Sequence, residues 1–213
     1  MQRRAEETRE AIVQAAAEIF AEQGYAATTL RDITGRVDLT LGALYHYFES
    51  KQVLASDIIR RQHETSFSTL QSVTRADMSG IASIVLLSQA LAEQSRGDAI
   101  VRAGLRLSTE SVDELATVTA TPYRDWISAC RVLLERASAK GETRPGLDLD
   151  AAAEVIISAF SGTQFLAAAL GRSDRMLEML AAMWPIVLAG VLADADDPVL
   201  LSIPDLLGLR ASA

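Results

Sequence analysis

Residues 28–54, TTLRDITGRVDLTLGALYHYFESKQVL, contain the signals of two short helices separated by a tight turn. Thr29 can cap the first helix, because Asp32 stands three positions later and can complete a capping box. After a turn, Thr40 can cap a second helix over residues 41–47. The spacing therefore predicts two short helices with only a few residues between them.

A longer amphipathic segment precedes these helices. Four apolar side chains in residues 6–23 recur at the spacing of one helical face: Ile12, Ala16, Ile19 and Phe20. Gly24 follows as a stop signal. After the two short helices, Ser50 can begin a fourth helix. Two short helices packed on a longer one describe a helix-turn-helix, whose second helix enters the major groove and presents residues to the base edges.

The same stretch, and above all the run GALYHYF followed by Ser50 and Lys51, resembles the DNA-binding segment of TetR-family transcriptional repressors. The resemblance implies that Tyr45 and Lys51 touch phosphates and that residues around Thr40 to His46 meet the bases. The residues expected to contact DNA are Thr29, Arg31, Thr40, Leu41, Gly42, Ala43, Tyr45, His46 and Lys51. The alternatives are ordinary structural roles, such as a helix cap for Thr40 or an exposed surface histidine for His46.

Two positions depart from the family pattern. Leu41 stands where a basic residue is common, and Asp38 occupies a turn position often held by glycine. A leucine at the start of the recognition helix can contact a thymine methyl group. We therefore expect Leu41 to change the preferred operator without abolishing DNA binding.

The charge balance excludes a polybasic mode of nucleic-acid binding. The chain has 20 basic and 28 acidic residues, a formal net charge of -8, and residues 1–63 contain eight basic and nine acidic side chains. DNA affinity is therefore expected to rest on few phosphate contacts and on backbone amides oriented by helix dipoles. The single cysteine, Cys130, excludes an internal disulfide framework and a zinc site built on cysteine pairs.

The rest of the chain reads as helical, so the expected fold is all-α. Residues 1–50 are expected to form the DNA-binding domain, and residues 51–213 a larger ligand-sensing and dimerisation domain. The expected helices after the fourth are 79–96, 98–108, 122–140, 149–170, 173–194 and 198–209, with a turn at 119–122 and a kink at Pro185.

The segments 149–170 and 173–194 carry almost no charge at their centres, and a helix apolar nearly all round needs partners on several sides. We expect a homodimer in which these segments of two copies form a four-helix bundle; the alternative is that they are interior helices of a monomer. Their charge-free runs fall short of the roughly 18 residues that span a bilayer. With no apolar signal-peptide core in MQRRAEETRE, a cytoplasmic protein without a membrane partner is expected.

Periodicity alone favours ordinary core packing for the apolar faces of the sensing region. Polar residues on those faces, namely Gln62, Gln89 and Thr163, nevertheless need partners if buried, and a small oxygenated ligand would provide them. No nucleophile–base pair or metal-ligand cluster stands out in the sequence, so an enzyme is not expected. A helical interaction module that does not bind DNA is a further alternative.

A narrower resemblance bears on the ligand. The segments IVRAGLRLSTE (100–110), PYRDWISACRVLLERA (122–137), AAEVIISAFSGTQ (152–164) and MWPIVLAGV (183–191) resemble the γ-butyrolactone-receptor branch of the TetR family. This resemblance implies a repressor that a lactone releases from a pseudo-palindromic operator, with the ligand beside Trp126 and no other cofactor. The alternative is a regulator that senses a different hydrophobic compound, such as an antibiotic or its precursor. The expected ligand residues are Gln62, Leu86, Gln89, Leu105, Trp126, Cys130, Phe160 and Thr163.

Overall fold

The computed structural model describes residues 2–75, 77–110, 113–194 and 196–209, and within these ranges the only regular elements are helices. This confirms the all-α prediction. The α-helices are α1 (Gln2–Ala27), α2 (Leu30–Arg36), α3 (Leu41–Tyr47), α4 (Lys51–Val73), α5 (Gly80–Gly97), α6 (Ala99–Thr109), α7 (Ala116–Ala139), α8 (Leu149–Ala169), α9 (Met176–Leu188) and α10 (Pro198–Leu206).

The capping signals act as the sequence predicts. The backbone N–H of Asp32 donates to Thr29 Oγ1 (3.3 Å), and the Thr29 N–H donates to Asp32 Oδ2 (2.8 Å), which completes the capping box of α2. The N–H of Ala43 donates to Thr40 Oγ1 (3.1 Å) and caps α3. Asp38, in the turn between α2 and α3, has a φ of 52°, the left-handed backbone that glycine adopts most readily and that aspartate also tolerates.

The stop expected at Gly24 is confirmed: its backbone is non-helical, with a φ of 81°, and α1 is kinked there before a short helical segment that continues to Ala27. Two other expectations about helix boundaries were wrong. The expected turn at 119–122 lies inside α7, so the packing of this helix must offset the lost hydrogen bond and the steric clash that an interior proline introduces. The expected helix 173–194 is shorter, since a 3₁₀ turn (Ser173–Arg175) precedes α9 and the helix ends at Leu188.

The chain forms two compact units. The first contains the residues up to 66 together with 97–122, and the most extensive helix packing within it is between α1 and α6. Its core joins side chains from five helices, among them Ile12, Phe20, Leu44, Ile58 and Leu107. The two units are defined by contacts between residues. The expected boundary at residue 50 between a DNA-binding domain and a sensing domain stays a prediction.

The second compact unit contains residues 67–96 and those from 123 onward, with α8 packed against α9. Its core includes Ile81, Val85, Leu134, Ile156 and Trp184. The loop after α7 pairs with the segment after α9 through an antiparallel bridge between Thr143 and Leu192. These backbone contacts fix the ends of α7 and α9 relative to each other.

Gly80 permits a close approach of α5 to α7. A Cβ atom at this position would lie 2.2 Å from the carbonyl oxygen of Leu133 and 2.9 Å from the amide nitrogen of Ala137. We expect Gly80→Ala to lower the free energy of unfolding by about 1–3 kcal/mol, because the two backbones must separate. Thermal or urea unfolding measures the effect.

The matched control is Gly35→Ala, also inside a helix, where an added Cβ meets no atom within 4 Å. Alanine there should raise stability by roughly 0.5–1 kcal/mol, since glycine loses more backbone entropy on folding. Equal effects of the two substitutions would contradict the close packing of α5 on α7.

Candidate DNA interface and ligand site

Helix α3 exposes the side chains that the sequence assigned to DNA. Its inner side is anchored by Leu44 and by Phe48 just beyond the helix, both almost fully buried. Tyr45 is 48% exposed and His46 is also exposed, with its ring edge-on to Tyr47 at a centroid distance of 5.5 Å. The burial of one side thus leaves Tyr45 and His46 on the other, where a groove of DNA can be reached.

The other residues expected to contact DNA lie near the starts of α2 and α3, and they differ in how far they are exposed to solvent. Thr40 and Gly42 are exposed, whereas Leu41 and Ala43 are partly buried. Arg31 and Thr29 are exposed at the start of α2, but the Thr29 hydroxyl donates to Asp32 Oδ2 (2.8 Å). The backbone N–H and the hydroxyl of Thr29 hold the pKa of the Asp32 carboxyl below its usual value. Thr29 therefore serves the cap of α2, and its contact with DNA stays a prediction.

Lys51, at the first position of α4, is bound within the protein. Its Nζ donates to the carbonyl oxygens of Tyr25 (2.8 Å) and Thr28 (2.9 Å) and lies 4.2 Å from the centroid of the Tyr25 ring. An ammonium group has three donors, so two are used and one is left to reach a phosphate. No local signal in the sequence indicates these contacts, because 23 or more residues separate the partners.

Arginines in the first unit are neutralised by nearby carboxylates. Asp57, in α4, accepts hydrogen bonds from Arg9 (2.9 Å), Arg61 (3.1 Å) and Arg60. Burial on its own would raise the pKa of Asp57, but the Arg60 hydrogen bond and the charges of Arg9 and Arg61 hold it below its usual value. Together with the Arg36–Glu18 pair (3.0 Å), this engages four of the eight basic residues in 1–63.

Of the expected ligand residues in the second unit, Trp126 forms an aromatic pair between α7 and the end of α4. The Trp126 ring is partly buried and lies 5.1 Å from the Phe67 ring, with an interplanar angle of 57°. Cys130 is buried, and burial raises the pKa of its thiol to about 12, so it stays a neutral apolar group. The partly buried residues Leu86, Gln89 and Phe160 belong to this unit as well.

Two of the polar residues expected to need a ligand have partners inside the protein. The Thr163 hydroxyl donates to the Ala159 carbonyl (2.8 Å) and lies 3.3 Å from Met183 Sδ. In the first unit, Gln62 is buried and its Nε2 donates to Ser66 Oγ (3.1 Å). Leu105, also in that unit, is partly buried. Burial of Gln62 and Thr163 is therefore satisfied without a ligand.

Several residues of the second unit that bear on a ligand site were not predicted from the sequence. Trp184 is almost fully buried and its indole N–H donates to Ser88 Oγ (3.0 Å). A groove of about 350 Å³ opens between the end of α4 and α7, lined by Phe67, Leu70, Thr74, Asp125, Ser128, Ala129, Val132, Leu133 and Arg136. Most of its α7 residues lie off the apolar face that the periodicity identified, which is why that face did not indicate them.

Helices α8 and α9 leave a large apolar surface uncovered. Val155, Phe165, Leu166, Leu170 and Ile186 are each more than half exposed, Ile186 most of all at 79%. By length and composition alone α8 could cross a membrane. The mean hydropathy of its 18-residue apolar stretch is 1.3, and 28% of that stretch is buried inside the protein. A surface of this kind marks a site where another protein or a lipid phase covers the chain.

Both ends of the chain match known protein families. Residues 12–58 match the family described as bacterial regulatory proteins, tetR family, and residues 78–193 match the tetracyclin repressor-like C-terminal domain. The chain is 34% identical to the A-factor receptor protein of Streptomyces griseus over 191 residues, which are 89% of this chain and 66% of that receptor. It thus spans about two thirds of the receptor's length.

Solved structures give the same picture. A crystal structure of a gamma-butyrolactone receptor described as an ArpA-like protein superposes with a TM-score of 0.79 at 28% identity, covering 97% of this chain and 100% of the other. CprB from Streptomyces coelicolor, in complex with its biological operator sequence, superposes with a TM-score of 0.75 at 26% identity, covering 97% and 96%. The similarity therefore includes both compact units.

The two lysines of the chain allow a test of the predicted phosphate contact. We expect Lys51→Ala to weaken binding to a DNA fragment selected from random sequence, and to reduce the slope of log affinity against log salt by about 0.9 for each phosphate that is no longer neutralised. Fluorescence anisotropy across a salt series measures both quantities. Lys140→Ala is the control, because Lys140 also donates to a backbone carbonyl, that of Met78, but lies in the second unit. Weaker binding with an unchanged slope would show that Lys51 only positions Tyr25 and Thr28.

Proposed function

The chain belongs to the tetR family of bacterial regulatory proteins, and from this we propose that it is a homodimeric transcriptional repressor that a γ-butyrolactone-type ligand releases from its operator. The relatives are regulators and receptors, which is why an enzyme is not favoured. As a DNA-binding regulator it would act in the cytoplasm, with a small-molecule effector and no further cofactor.

The observation that carries the proposal is the similarity to lactone receptors over both compact units. It covers 89% of the chain for the A-factor receptor protein and 97% for the gamma-butyrolactone receptor structure. A similarity confined to the helix-turn-helix would support DNA binding alone. Because it extends through α5–α9, it also supports a lactone as the effector over other hydrophobic compounds.

The chemistry of the expected ligand residues fits a neutral, flat molecule. The Trp126 indole and the neighbouring Phe67 ring present aromatic faces to a lactone, and the neutral Cys130 thiol adds an apolar wall. An alkyl tail gains about 0.8 kcal/mol for each methylene that aliphatic side chains bury. The net charge of -8 does not oppose a neutral ligand, whereas it disfavours an anionic one.

The exposed apolar surface of α8 and α9 supports a dimer. In a four-helix bundle of two copies, residues such as Phe165 and Ile186 leave water. A twofold dimer also places two α3 helices for successive major grooves, about 34 Å apart, on a pseudo-palindromic operator. We therefore assign residues 149–194 to the interface between the two copies.

Release requires that the effector bind the non-DNA conformation more tightly. Each tenfold change in operator affinity needs about 1.4 kcal/mol of such preference. Helix α4 begins next to the DNA-contacting helices at Lys51 and ends at Val73, beyond Gln62 and Phe67. A tilt of α4 in the effector-bound form would change the distance between the two α3 helices, so that the operator half-sites no longer fit.

The proposal is tested by a gel shift with the DNA that flanks the chain's own gene, followed by titration with a synthetic acyl-substituted γ-butyrolactone. We expect the protein to shift the DNA fragment, and we expect the lactone to dissociate the protein–DNA complex. The variant Trp126→Ala should keep its operator affinity but lose the release, because Trp126 lies in the second unit, away in the sequence from the residues expected to contact DNA, and its indole is expected to hold the effector. Trp126→Phe, which keeps an aromatic ring, should retain part of the response.

The possible failures have different meanings. If no fragment shifts, DNA binding by this chain is refuted. If a fragment shifts and the lactone leaves the complex intact, the effector belongs to another class, such as an antibiotic or its precursor. Normal release of the Trp126→Ala variant would remove Trp126 from the ligand site.

A further inference from the structure

Every polar atom of Tyr25 is held by a charged side chain from a distant part of the first unit. Its backbone N–H donates to Glu110 Oε2 (2.7 Å), and its hydroxyl donates to Glu114 Oε2 (2.8 Å). Its carbonyl accepts from Lys51 Nζ (2.8 Å). We call Tyr25 and these partners, with Arg106, the Tyr25 clamp. Tyr25 lies in the short segment of α1 that follows the kink at Gly24, four positions before the cap of α2 at Thr29.

The clamp exists because Gly24 breaks the hydrogen-bond pattern of α1. Gly24 has a φ of 81°, and a Cβ atom there would lie 2.0 Å from Glu110 Oε1, so the carboxylate rests directly on the backbone. In an unbroken helix the Tyr25 N–H would donate to the Ala21 carbonyl. Here Arg106 donates to that carbonyl instead (3.0 Å), while its Nε pairs with Glu110 (2.9 Å).

The structure shows the clamped arrangement, in which Glu110 binds the Tyr25 N–H and Arg106 binds the Ala21 carbonyl. A continuous helix would be the alternative arrangement, with these two backbone groups bound to each other. The choice between them depends on whether the end of α6 stays close to Gly24. A ligand that binds one arrangement more tightly shifts the equilibrium towards it. An element whose equilibrium responds to both DNA and effector in this way couples the two binding sites.

Helix α6 also touches a residue expected to contact the effector. A Cβ atom at Gly104 would lie 2.4 Å from Gln62 Cβ, so α6 packs directly on that side chain. Leu105, another expected ligand residue, is adjacent, and Arg106 follows it. A displacement of α6 at Gln62 therefore also moves the two side chains that close the clamp.

We propose that the Tyr25 clamp is closed in the DNA-binding conformation and opens in the effector-bound conformation, which makes Glu110 a positioning residue for operator binding. This inference rests on the proposed function. Opening lets α1 continue as a helix through Tyr25, so the start of α2 moves and the placement of α3 changes with it. No contact of Glu110 with DNA or effector is involved.

The variant Glu110→Ala tests the inference, because linkage predicts opposite changes in two affinities. Loss of the carboxylate destabilises only the clamped form, so operator affinity should fall about tenfold, while lactone affinity of the DNA-free protein should rise. Glu110→Gln, which keeps an acceptor for the Tyr25 N–H, should have a smaller effect. The matched control is Glu135→Ala, since Glu135 forms an equivalent pair with Arg131 in the second unit and should change neither affinity.

Gly24→Ala is an independent route to the same state. Alanine favours a continuous helix and cannot coexist with the carboxylate at its present position, so operator affinity should again fall. In the Glu110→Ala background the same substitution should add little, because the clamp is already open. Additive losses in the double variant would contradict the inference, as would losses that follow from a lowered melting temperature alone.

The other possible results also test the inference and the proposed function. If Glu110→Ala weakens both affinities, or changes neither, the inference is wrong although the proposed function stands. If the wild type binds its operator but no lactone, the proposed effector class fails; amide hydrogen exchange then decides the inference, since operator must slow exchange at residues 24–28 in the wild type and not in Glu110→Ala. If the wild type shifts no DNA, the proposed function is refuted and the inference with it.

Discussion

Helix α3 contains seven residues, about half the number at which an isolated helix becomes even marginally stable in water. Its conformation therefore depends on tertiary packing, in which Leu44 and Phe48 insert into the core of the first unit. The same core contains Ala103 and Leu107 of α6. The surface that the family resemblance assigns to DNA is thus held by a core to which α6 contributes directly, and a change in the packing of α6 acts on the support of α3.

The electrostatics of the first unit follow from a similar constraint. A buried carboxylate such as Asp57 is tolerated only with cationic partners, and Arg9, Arg60 and Arg61 provide them. Because its pKa is lower in the folded state, Asp57 contributes stability above its unfolded pKa, and this contribution is lost as the pH falls through the folded value. These arginines connect α1 to α4, and because carboxylates neutralise them they add little net positive charge.

The elements that the sequence predicted best are those decided by neighbouring residues. The capping box at Thr29 and the cap at Thr40 need only side chains three positions away, and the bounds of α3 were predicted to the residue. The break predicted at Gly24 is present, whereas the turn predicted at 119–122 is not, because tertiary contacts decide whether a helix continues past a local signal for a break. The exposure of Tyr45 followed from the burial of Leu44, but the carbonyl contacts of Lys51 and the pairing of Phe67 with Trp126 join residues far apart in the chain.

The proposed opening of the Tyr25 clamp exchanges part of its hydrogen bonds for others. When the Tyr25 N–H leaves Glu110 for the Ala21 carbonyl, Arg106 loses its acceptor at Ala21 but has the Glu22 carbonyl and Glu110 as further acceptors, while the Tyr25 hydroxyl exchanges Glu114 for solvent. Few backbone groups are left unpaired in either arrangement, so the penalty for unsatisfied buried groups is largely avoided in both. Allosteric coupling in proteins typically amounts to about 1–3 kcal/mol. Two arrangements that differ by so few net hydrogen bonds lie within reach of that energy, and glycine at position 24 is the residue that makes the clamped one accessible.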